Sequence, residues 1–514
     1  MDEYLKTLLD QIRCKKARPY IQQELRNHIE DQIEANMHAG MDREQAEKEA
    51  VRDMGDPVET GISLDSIHKP QIAWKLLGII IVISIVGILI HVGIARHING
   101  SDVYTSDRYL FHVMIGLAVM IFLYLLDYTF LAKFSKVIAI VLLAVCLLTL
   151  FCGNSVNGAT VWMALPGGRI ISVQALMLFY IPIYGAILYK YHGSGYRGVL
   201  KAVIWMIVPV VLVFMLPSFS IASRMFISML ILLTIAIKKN WFVVEKKKTI
   251  CGLWTGVMIM PMAILGVAYL KNELAEYQIE RIRTIFSLDG EWMRLFWKQD
   301  RLIGKSGADI TESLPGFNSD YILTYISSVY GTVIAILLCC ILAVLILAVF
   351  NTVINQKNQL GMMMGCGCGM VFLMNFLVNI LENLGIFPQS MTFLPLISAG
   401  GSYIVAAYGL LGIVLSVYRY KNIYPRNSKI DIKLSRNEIR HTLSVSKLLM
   451  CILGSITAVI ACAGIYLELW NGYMDSLFKG VIIVLAVILI RSIYRVIYCN
   501  KLHEHSKKLY CRNL

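Results

Sequence analysis

Apolar runs of bilayer length dominate the chain after residue 70. About twelve of them follow one another, and each approaches the roughly 20 residues that a helix needs to cross the hydrocarbon core. We predict spans at 73–95, 109–131, 135–152, 171–189, 198–216, 221–238, 249–270, 322–350, 361–384, 393–418, 445–468 and 476–497. With 57% hydrophobic residues and a mean hydropathy of +0.64, the chain is predicted to be an all-α polytopic membrane protein.

Basic residues are concentrated on one side of these spans. They lie in short connections such as Lys238–Lys248, in the stretch 419–447 and in the tail from residue 495. The positive-inside rule makes that side cytoplasmic, with both termini inside. The same bias accounts for the formal net charge of +14, so nucleic acid is not an expected partner.

The polar stretch 271–321 is the longest connection on the opposite side. It is predicted to be extracytoplasmic, and it ends with Asp320 at the outer face of the membrane. An insertion this long among membrane spans is the first place to look for function.

The cysteine pair Cys366 and Cys368 lies in the run GMMMGCGCGM. Small residues of this kind favour close packing between helices, and the neighbouring sequence offers no further metal ligands. We therefore interpret the run as a packing surface and not as a metal site.

Residues 1–70 differ from the rest because they are polar and rich in acidic side chains. Apolar residues recur there at helical spacing: Leu5, Leu8, Leu9 and Ile12, then Ile21, Leu25, Ile29 and Ile33. Asp42, with Gln45 three residues later, predicts the start of a third helix, and Gly55-Asp56-Pro57 predicts its end. The segment resembles the permease-prefix domain of several bacterial membrane proteins. We expect a three-helix cytosolic domain that regulates the protein or binds a cytosolic partner.

Three outward-facing stretches carry Gly, Pro, Ser and Asn residues in a distinctive order. They contain Asn157-Gly158-Ala159, Trp162 and Gly167-Gly168; then Tyr277-Gln278, Arg281-Ile282, Pro315, Ser319-Asp320-Tyr321-Ile322 and Gly331; then Asn379-Ile380, Gly385, Pro388, Leu394-Pro395-Leu396-Ile397-Ser398 and Gly400-Gly401-Ser402. In order and spacing they resemble the SEDS family of RodA, FtsW and SpoVE. The resemblance implies a ten-span SEDS-like core at residues 71–422. A basic cytosolic linker at 423–444 and two additional C-terminal spans with a basic tail at 445–514 lie outside it.

This resemblance implies an enzyme that polymerises lipid II into peptidoglycan glycan strands during cell wall growth, division or sporulation. The implied location is the bacterial plasma membrane, beside a class B penicillin-binding protein. Two alternatives stay open: a catalytically degenerate scaffold or regulatory subunit of a cell-wall complex, and a flippase or transporter of lipid-linked precursors.

Asp320 matches the essential acidic residue of the family. Its carboxylate could deprotonate the sugar hydroxyl that attacks the anomeric carbon, or hold a divalent cation such as Mg²⁺ or Mn²⁺ against the diphosphate; no other cofactor is expected. The alternative without a catalytic role is that Asp320 is the N-cap of the eighth span. The implied substrate contacts are Trp162, Arg281, Asn157, Ser398, Gly400 and Gly401. Trp162 fits an interfacial aromatic belt equally well, and an exposed arginine such as Arg281 is often only solvated.

The chain departs from the family at charged positions of the membrane core. A Glu and a Lys of the family are absent from the stretch Ser172–Leu178, an Asp is replaced by Ser218, and a Glu pair is replaced by Ser328 and Val329. Charges stand instead at Arg224 and Glu382, near predicted helix ends. We expect these two to be interfacial; the alternative is that they rebuild part of the lost site.

Overall fold

The structure is a computed structural model of the 514-residue chain. It describes residues 1–97, 106–156, 159–165, 169–216, 218–270, 301–305, 314, 316–387, 390 and 392–425. The predicted spans 445–468 and 476–497, and the linker beyond residue 425, lie outside the described residues.

The N-terminal segment folds into four helices, not the three that we predicted. They are α1 (Asp2–Gln11), α2 (Arg18–His38), α3 (Arg43–Asp53) and α4 (Pro57–His68). The error lies at Pro57, which begins α4 because proline fits the first position of a helix, where the missing N–H is not needed. The Asp56 side chain accepts a hydrogen bond of 2.9 Å from the Glu59 N–H and caps this helix.

A buried acidic residue of the membrane-spanning part, Asp127, forms a charged contact with the N-terminal domain. The ammonium of Lys16 lies 2.6 Å from its carboxylate, and the hydroxyl of Tyr424 donates to the same group. Lys16 also lies 5.0 Å from the ring centroid of Tyr420. Burial disfavours the charge on Lys16, but attraction to Asp127 and the other contacts outweigh it and raise the pKa of Lys16. The domain is therefore tied to the core by a charged contact.

Eight helices in the described part of the chain are long and apolar enough to cross a membrane. They are α5 (Trp74–His97), α6 (Ser106–Leu125), α8 (Ser135–Cys152), α11 (Tyr196–Met215), α12 (Phe219–Lys238), α15 (Thr332–Ile354), α16 (Gln359–Asn383) and α17 (Gly401–Arg419). Each overlaps a predicted span, and the polytopic membrane fold is confirmed. The count of ten spans in the core stays a prediction.

Five further helices lie between these membrane-spanning helices in the described part of the chain. They are α7 (Tyr128–Lys133), α9 (Val173–Met177), α10 (Tyr180–Tyr189), α13 (Lys246–Leu270) and α14 (Ile322–Tyr330). The predicted span 171–189 is thus divided between α9 and α10, and 322–350 is divided between α14 and α15. The second break falls at Gly331, whose φ of 104° favours glycine. A side chain there would also meet the main chain of Leu302, which passes 2.6 Å from the Cβ position.

A small antiparallel sheet adds to the all-α prediction. Strands β1 (Asn154–Val156), β2 (Ala159–Leu165) and β3 (Arg169–Ser172) pair in the order β1-β2-β3. Trp162 of β2 stands opposite Ser172 of β3. The sheet lies between α8 and α9, at the end of the bundle predicted to face outward.

Helix α16 is the centre of the bundle and packs against α10, α12, α15 and α17. Its small residues allow this: a Cβ on Gly367 would lie 2.7 Å from the Cα of Pro182 in α10, and Cys366 and Cys368 are buried, free thiols. The interpretation of GMMMGCGCGM as a packing surface is confirmed. Among the described residues, no group of three or more His, Cys, Asp or Glu side chains is placed to hold a metal ion.

Candidate functional site

Asp320 lies in a turn immediately before α14 and is half-buried. Tyr321, not Asp320, occupies the N-cap position of this helix. The alternative interpretation of Asp320 as the N-cap is therefore wrong. The main-chain oxygen of Asp320 accepts hydrogen bonds from the side-chain amides of Asn379, at 2.8 Å, and Asn383, at 3.0 Å. The backbone of the predicted catalytic residue is therefore fixed to α16 from two points.

A second set of contacts fixes the two residues before Asp320. The hydroxyl of Ser398 donates to the main-chain oxygen of Ser319 over 2.8 Å and accepts from the Leu394 N–H over 2.9 Å. The N–H of Ala399 donates to the Asn318 oxygen over 2.8 Å. Ser398, which we predicted as a substrate contact, is 2% exposed. In this structure it positions the Asp320 segment.

The segment that carries Ser398 is itself held under backbone strain. Leu396 has a φ of 63°, in the left-handed region that non-glycine residues avoid. The hydroxyl of Tyr109 donates to its oxygen over 2.6 Å, and the Nε2 of His91 lies 2.7 Å from the oxygen of Ile397. The rings of His91 and Tyr109 stack with centroids 3.8 Å apart. Sequence reasoning missed both residues, although a histidine inside an apolar run is a usable signal.

Arg224 and Glu382 are not interfacial, which corrects our expectation. Arg224 is 6% exposed and Glu382 is 1% exposed, because the connection between α16 and α17 covers them. The Ser390 N–H and the Thr392 hydroxyl donate to the Glu382 carboxylate over 2.8 and 2.5 Å. Arg224 donates to the Asn375 side chain over 2.8 Å and to the Ser390 oxygen over 3.3 Å.

Three asparagines form one stripe on α16 beneath this network. Asn375, Asn379 and Asn383 follow at intervals of four residues, which puts them on one face of a helix, and all three are buried. The amide of Asn379 donates to Asp320 and to the Thr392 hydroxyl, so the stripe joins the Asp320 segment to the Glu382 pocket. This spacing is readable in the sequence and was overlooked.

Ser218, which stands where the family resemblance implies an Asp, belongs to a neutral polar cluster with Gln174. The Gln174 side chain accepts from the Tyr403 hydroxyl over 3.0 Å and donates to the hydroxyl of Ser218. Gln174 and Ser218 are both buried. These three side chains form a neutral hydrogen-bonded cluster at the same end of the bundle as Arg224 and Glu382.

The predicted substrate contacts that the structure describes lie at the same end of the bundle. The N–H of Ser172, opposite Trp162 in the sheet, donates to the Ser402 hydroxyl over 3.1 Å, and Trp162 is half-buried. Gly400 is the N-cap of α17. Gly401 faces His112, since a Cβ would lie 2.6 Å from the His112 Cδ2 atom. The other two predicted contacts, Asn157 and Arg281, lie outside the described residues.

This arrangement joins one half-exposed carboxylate to a rigid, buried polar frame. Of the two acidic side chains tied to this frame, Asp320 is the one that can meet a substrate, because Glu382 is enclosed. A carboxylate so placed can accept a proton from a hydroxyl or share a cation with an anionic group.

Comparison with known proteins gives one consistent family. The family model of FtsW, RodA and SpoVE, described as cell cycle protein, matches residues 69–291 and 301–423. A probable peptidoglycan glycosyltransferase FtsW from Aliivibrio salmonicida is 21% identical over 400 residues, covering 74% of this chain and 96% of the relative. The protein of the same description from Enterococcus hirae is 23% identical over 391 residues, covering 70% and 95%. A chain of a solved peptidoglycan synthase complex that coordinates polymerization and crosslinking has a TM-score of 0.57 at 19% identity, covering 68% of this chain and 98% of that one.

Proposed function

The chain belongs to the FtsW, RodA and SpoVE family of cell cycle proteins, and we propose that it is a peptidoglycan glycosyltransferase that polymerises lipid II in the bacterial plasma membrane. Its substrate would be a sugar chain on a membrane-embedded lipid diphosphate. The reaction joins a sugar hydroxyl of one molecule to the anomeric carbon of the other, and the lipid diphosphate leaves.

The observation that carries the proposal is the fixation of Asp320. Four hydrogen bonds, from the buried side chains of Asn379, Asn383 and Ser398 and from the main-chain N–H of the partly buried Ala399, reach the main-chain oxygens of residues 318–320. Catalytic groups must be held within fractions of an ångström of their working position. A frame of this kind around a residue with a half-exposed carboxylate fits a catalytic role better than a merely solvated loop.

In the proposed reaction, the Asp320 carboxylate accepts the proton of the attacking sugar hydroxyl. This raises the nucleophilicity of the oxygen as it forms the bond to the anomeric carbon. Trp162, on β2 opposite Ser172, would offer a flat apolar face to a sugar ring.

A cation role for Asp320 is a second proposal for the same residue. Mg²⁺ binds through one or two carboxylates and completes its shell with phosphate oxygens and water, so a single carboxylate facing a diphosphate is an adequate protein donor. A cation there would neutralise charge on the leaving diphosphate. Chelation by EDTA separates the roles: a loss of activity that Mg²⁺ or Mn²⁺ restores supports the cation, and unchanged activity supports the proton acceptor.

A class B penicillin-binding protein is the partner that we propose. The solved complex that shares this fold coordinates polymerization with crosslinking, and crosslinking requires a second activity on the growing strand. Whether the partner is needed for activity is tested by assaying the chain with and without it.

A catalytically inactive scaffold is the competing proposal, favoured by the uncharged Ala175, Leu178 and Ser218 at positions where the family resemblance implies charges. Purified protein, lipid II and partner decide between the two. Polymer from the wild type and none from Asp320→Ala supports the enzyme. No polymer from the wild type with any class B partner supports the scaffold.

A further inference from the structure

Two buried charges, Arg224 and Glu382, lie at the same end of the bundle as Asp320 and have no role in the reaction described above. Arg224 stands near the start of α12, and Glu382 stands near the end of α16. Burial of an ionised side chain is expensive unless it is paired and hydrogen-bonded. Charges that persist inside a membrane protein therefore call for a function.

The segment between α16 and α17 links the two side chains. Ser390 donates its N–H to Glu382 over 2.8 Å and accepts from Arg224 on its main-chain oxygen over 3.3 Å. A single residue thus contacts both charges with its two backbone groups. The charges hold this segment in one place, since moving Ser390 away would leave each of them with one hydrogen bond fewer.

From Glu382 a short chain of hydrogen bonds leads to Asp320. The Thr392 hydroxyl donates to Glu382 over 2.5 Å and accepts from the Asn379 amide over 2.8 Å. The same amide donates to the Asp320 oxygen over 2.8 Å. On the other side, Arg224 donates to Asn375, one turn before Asn379 on the same face of α16.

We propose that Arg224 and Glu382 are a positioning pair that fixes the Asp320 segment through Ser390, Thr392 and Asn379. The proposal rests on the proposed function only for its effect on rate. The effect of the pair on how rigidly residues 316–321 are held does not depend on any activity.

The coupling between the two charges is the expected signature. Removing one charge leaves the other buried without its counterpart, whereas removing both leaves no uncompensated charge. Arg224→Met and Glu382→Gln should therefore each lower kcat strongly. The loss of kcat in the double variant should be smaller than the product of the two single losses. Displacement of Asp320 by about 1 Å is enough to lower kcat by roughly 100-fold, with KM little changed because neither residue contacts the substrate.

The experiment uses the full chain with its partner and lipid II. Arg224→Met, Glu382→Gln and the double variant are compared with two control variants, Arg108→Met and Asp107→Asn. The controls remove one positive and one negative charge from the outer end of α6, where Arg108 is exposed. Steady-state kcat and KM are measured per folded protein. Amide hydrogen exchange is followed in peptides spanning 316–325.

The expected result is a large loss of kcat in each single variant, a double-variant loss smaller than the product of the two, and faster exchange at 316–325 that the controls do not show. Unchanged exchange in both single variants overturns the proposal, whatever the activity. Losses that multiply, or a rise in KM in place of a fall in kcat, also overturn it. A wild type that makes no polymer counts against the glycosyltransferase, and the exchange result then still decides the positioning pair.

Discussion

Replacement of Asn383 by leucine tests whether the frame around Asp320 controls the reaction. Asn383 is fully buried and serves two segments at once. Its amide donates to the Asp320 oxygen over 3.0 Å, and its carbonyl accepts from the N–H and the hydroxyl of Thr324 over 3.0 and 2.8 Å. Leucine has similar volume and makes none of these bonds.

The size of the effect follows from the groups that lose a partner. Thr324 lies in the first turn of α14, where N–H groups lack acceptors within the helix, so Asn383 acts as its cap from a neighbouring helix. Loss of a cap costs about 1 kcal/mol, and a buried hydroxyl without its acceptor costs about 1–3 kcal/mol. We expect Asn383→Leu to reduce stability by about 3 kcal/mol and kcat by roughly 100-fold through the displaced Asp320.

Thermal unfolding in detergent and lipid II polymerisation are measured on the same preparations. Thr324→Val removes only the hydroxyl, so it should lower stability by about 1 kcal/mol and leave kcat near the wild-type value. Asn351→Leu, at an exposed site on α15, should change stability by less than about 0.5 kcal/mol. If Asn383→Leu lowers the melting temperature and leaves kcat intact, the frame stabilises the protein without positioning Asp320, and the reasoning fails.

Three further variants test other parts of the structure. Gly367→Ala places a methyl group 2.7 Å from the Pro182 Cα and should lower the melting temperature, since overpacking costs about 1–3 kcal/mol. Lys16→Met removes the ion pair with Asp127 and should speed hydrogen exchange in α2. Folding raises the pKa of Lys16. The stabilisation from the wild-type contact is therefore complete below the ordinary lysine pKa and is lost as the pH rises through the raised pKa of the folded protein. Tyr109→Phe removes the hydroxyl that holds strained Leu396 and should lower kcat about tenfold, as small displacements at a catalytic segment do.

Each of these variants has a matched control. Gly78→Ala adds a methyl group with no atom within 4 Å, Lys15→Met changes a neighbouring exposed lysine, and Tyr196→Phe removes an exposed hydroxyl from α11. An unchanged melting temperature for Gly367→Ala would contradict the close α10–α16 contact. Exchange in α2 equal to that of Lys15→Met would contradict the charged tie, and a normal kcat for Tyr109→Phe would contradict the role of the strained segment.

The membrane helices were predictable because hydropathy reports directly on burial in lipid. The breaks were not: Gly331 ends α14 because Leu302 crosses it, and that contact joins residues far apart in the sequence. Pro57 could have been assigned correctly, since its place after Asp56 is as typical of a helix start as of a helix end. The sheet was missed because its strands are short and stand between two membrane helices.

The site was predictable where the motif carries it and not elsewhere. Asp320, Ser398 and Gly401 came from family spacing, and the structure brings them to one end of the bundle. Glu382 and Arg224 could not be assigned from sequence, because a charge at the end of an apolar run has the same pattern whether water or protein covers it. Their burial depends on where the segment with Ser390 packs, which is a tertiary property.

Catalysis by Asp320 on lipid II is the proposal from which the other predictions follow. The most direct measurement is the turnover of purified lipid II by the full chain together with a class B penicillin-binding protein, comparing wild type with Asp320→Asn at saturating substrate. Asparagine keeps the shape and the main-chain hydrogen bonds of the segment and removes the ionised carboxylate. We predict a loss of roughly 100- to 10,000-fold in kcat with an unchanged melting temperature. Polymer formed by Asp320→Asn at the wild-type rate would contradict the account.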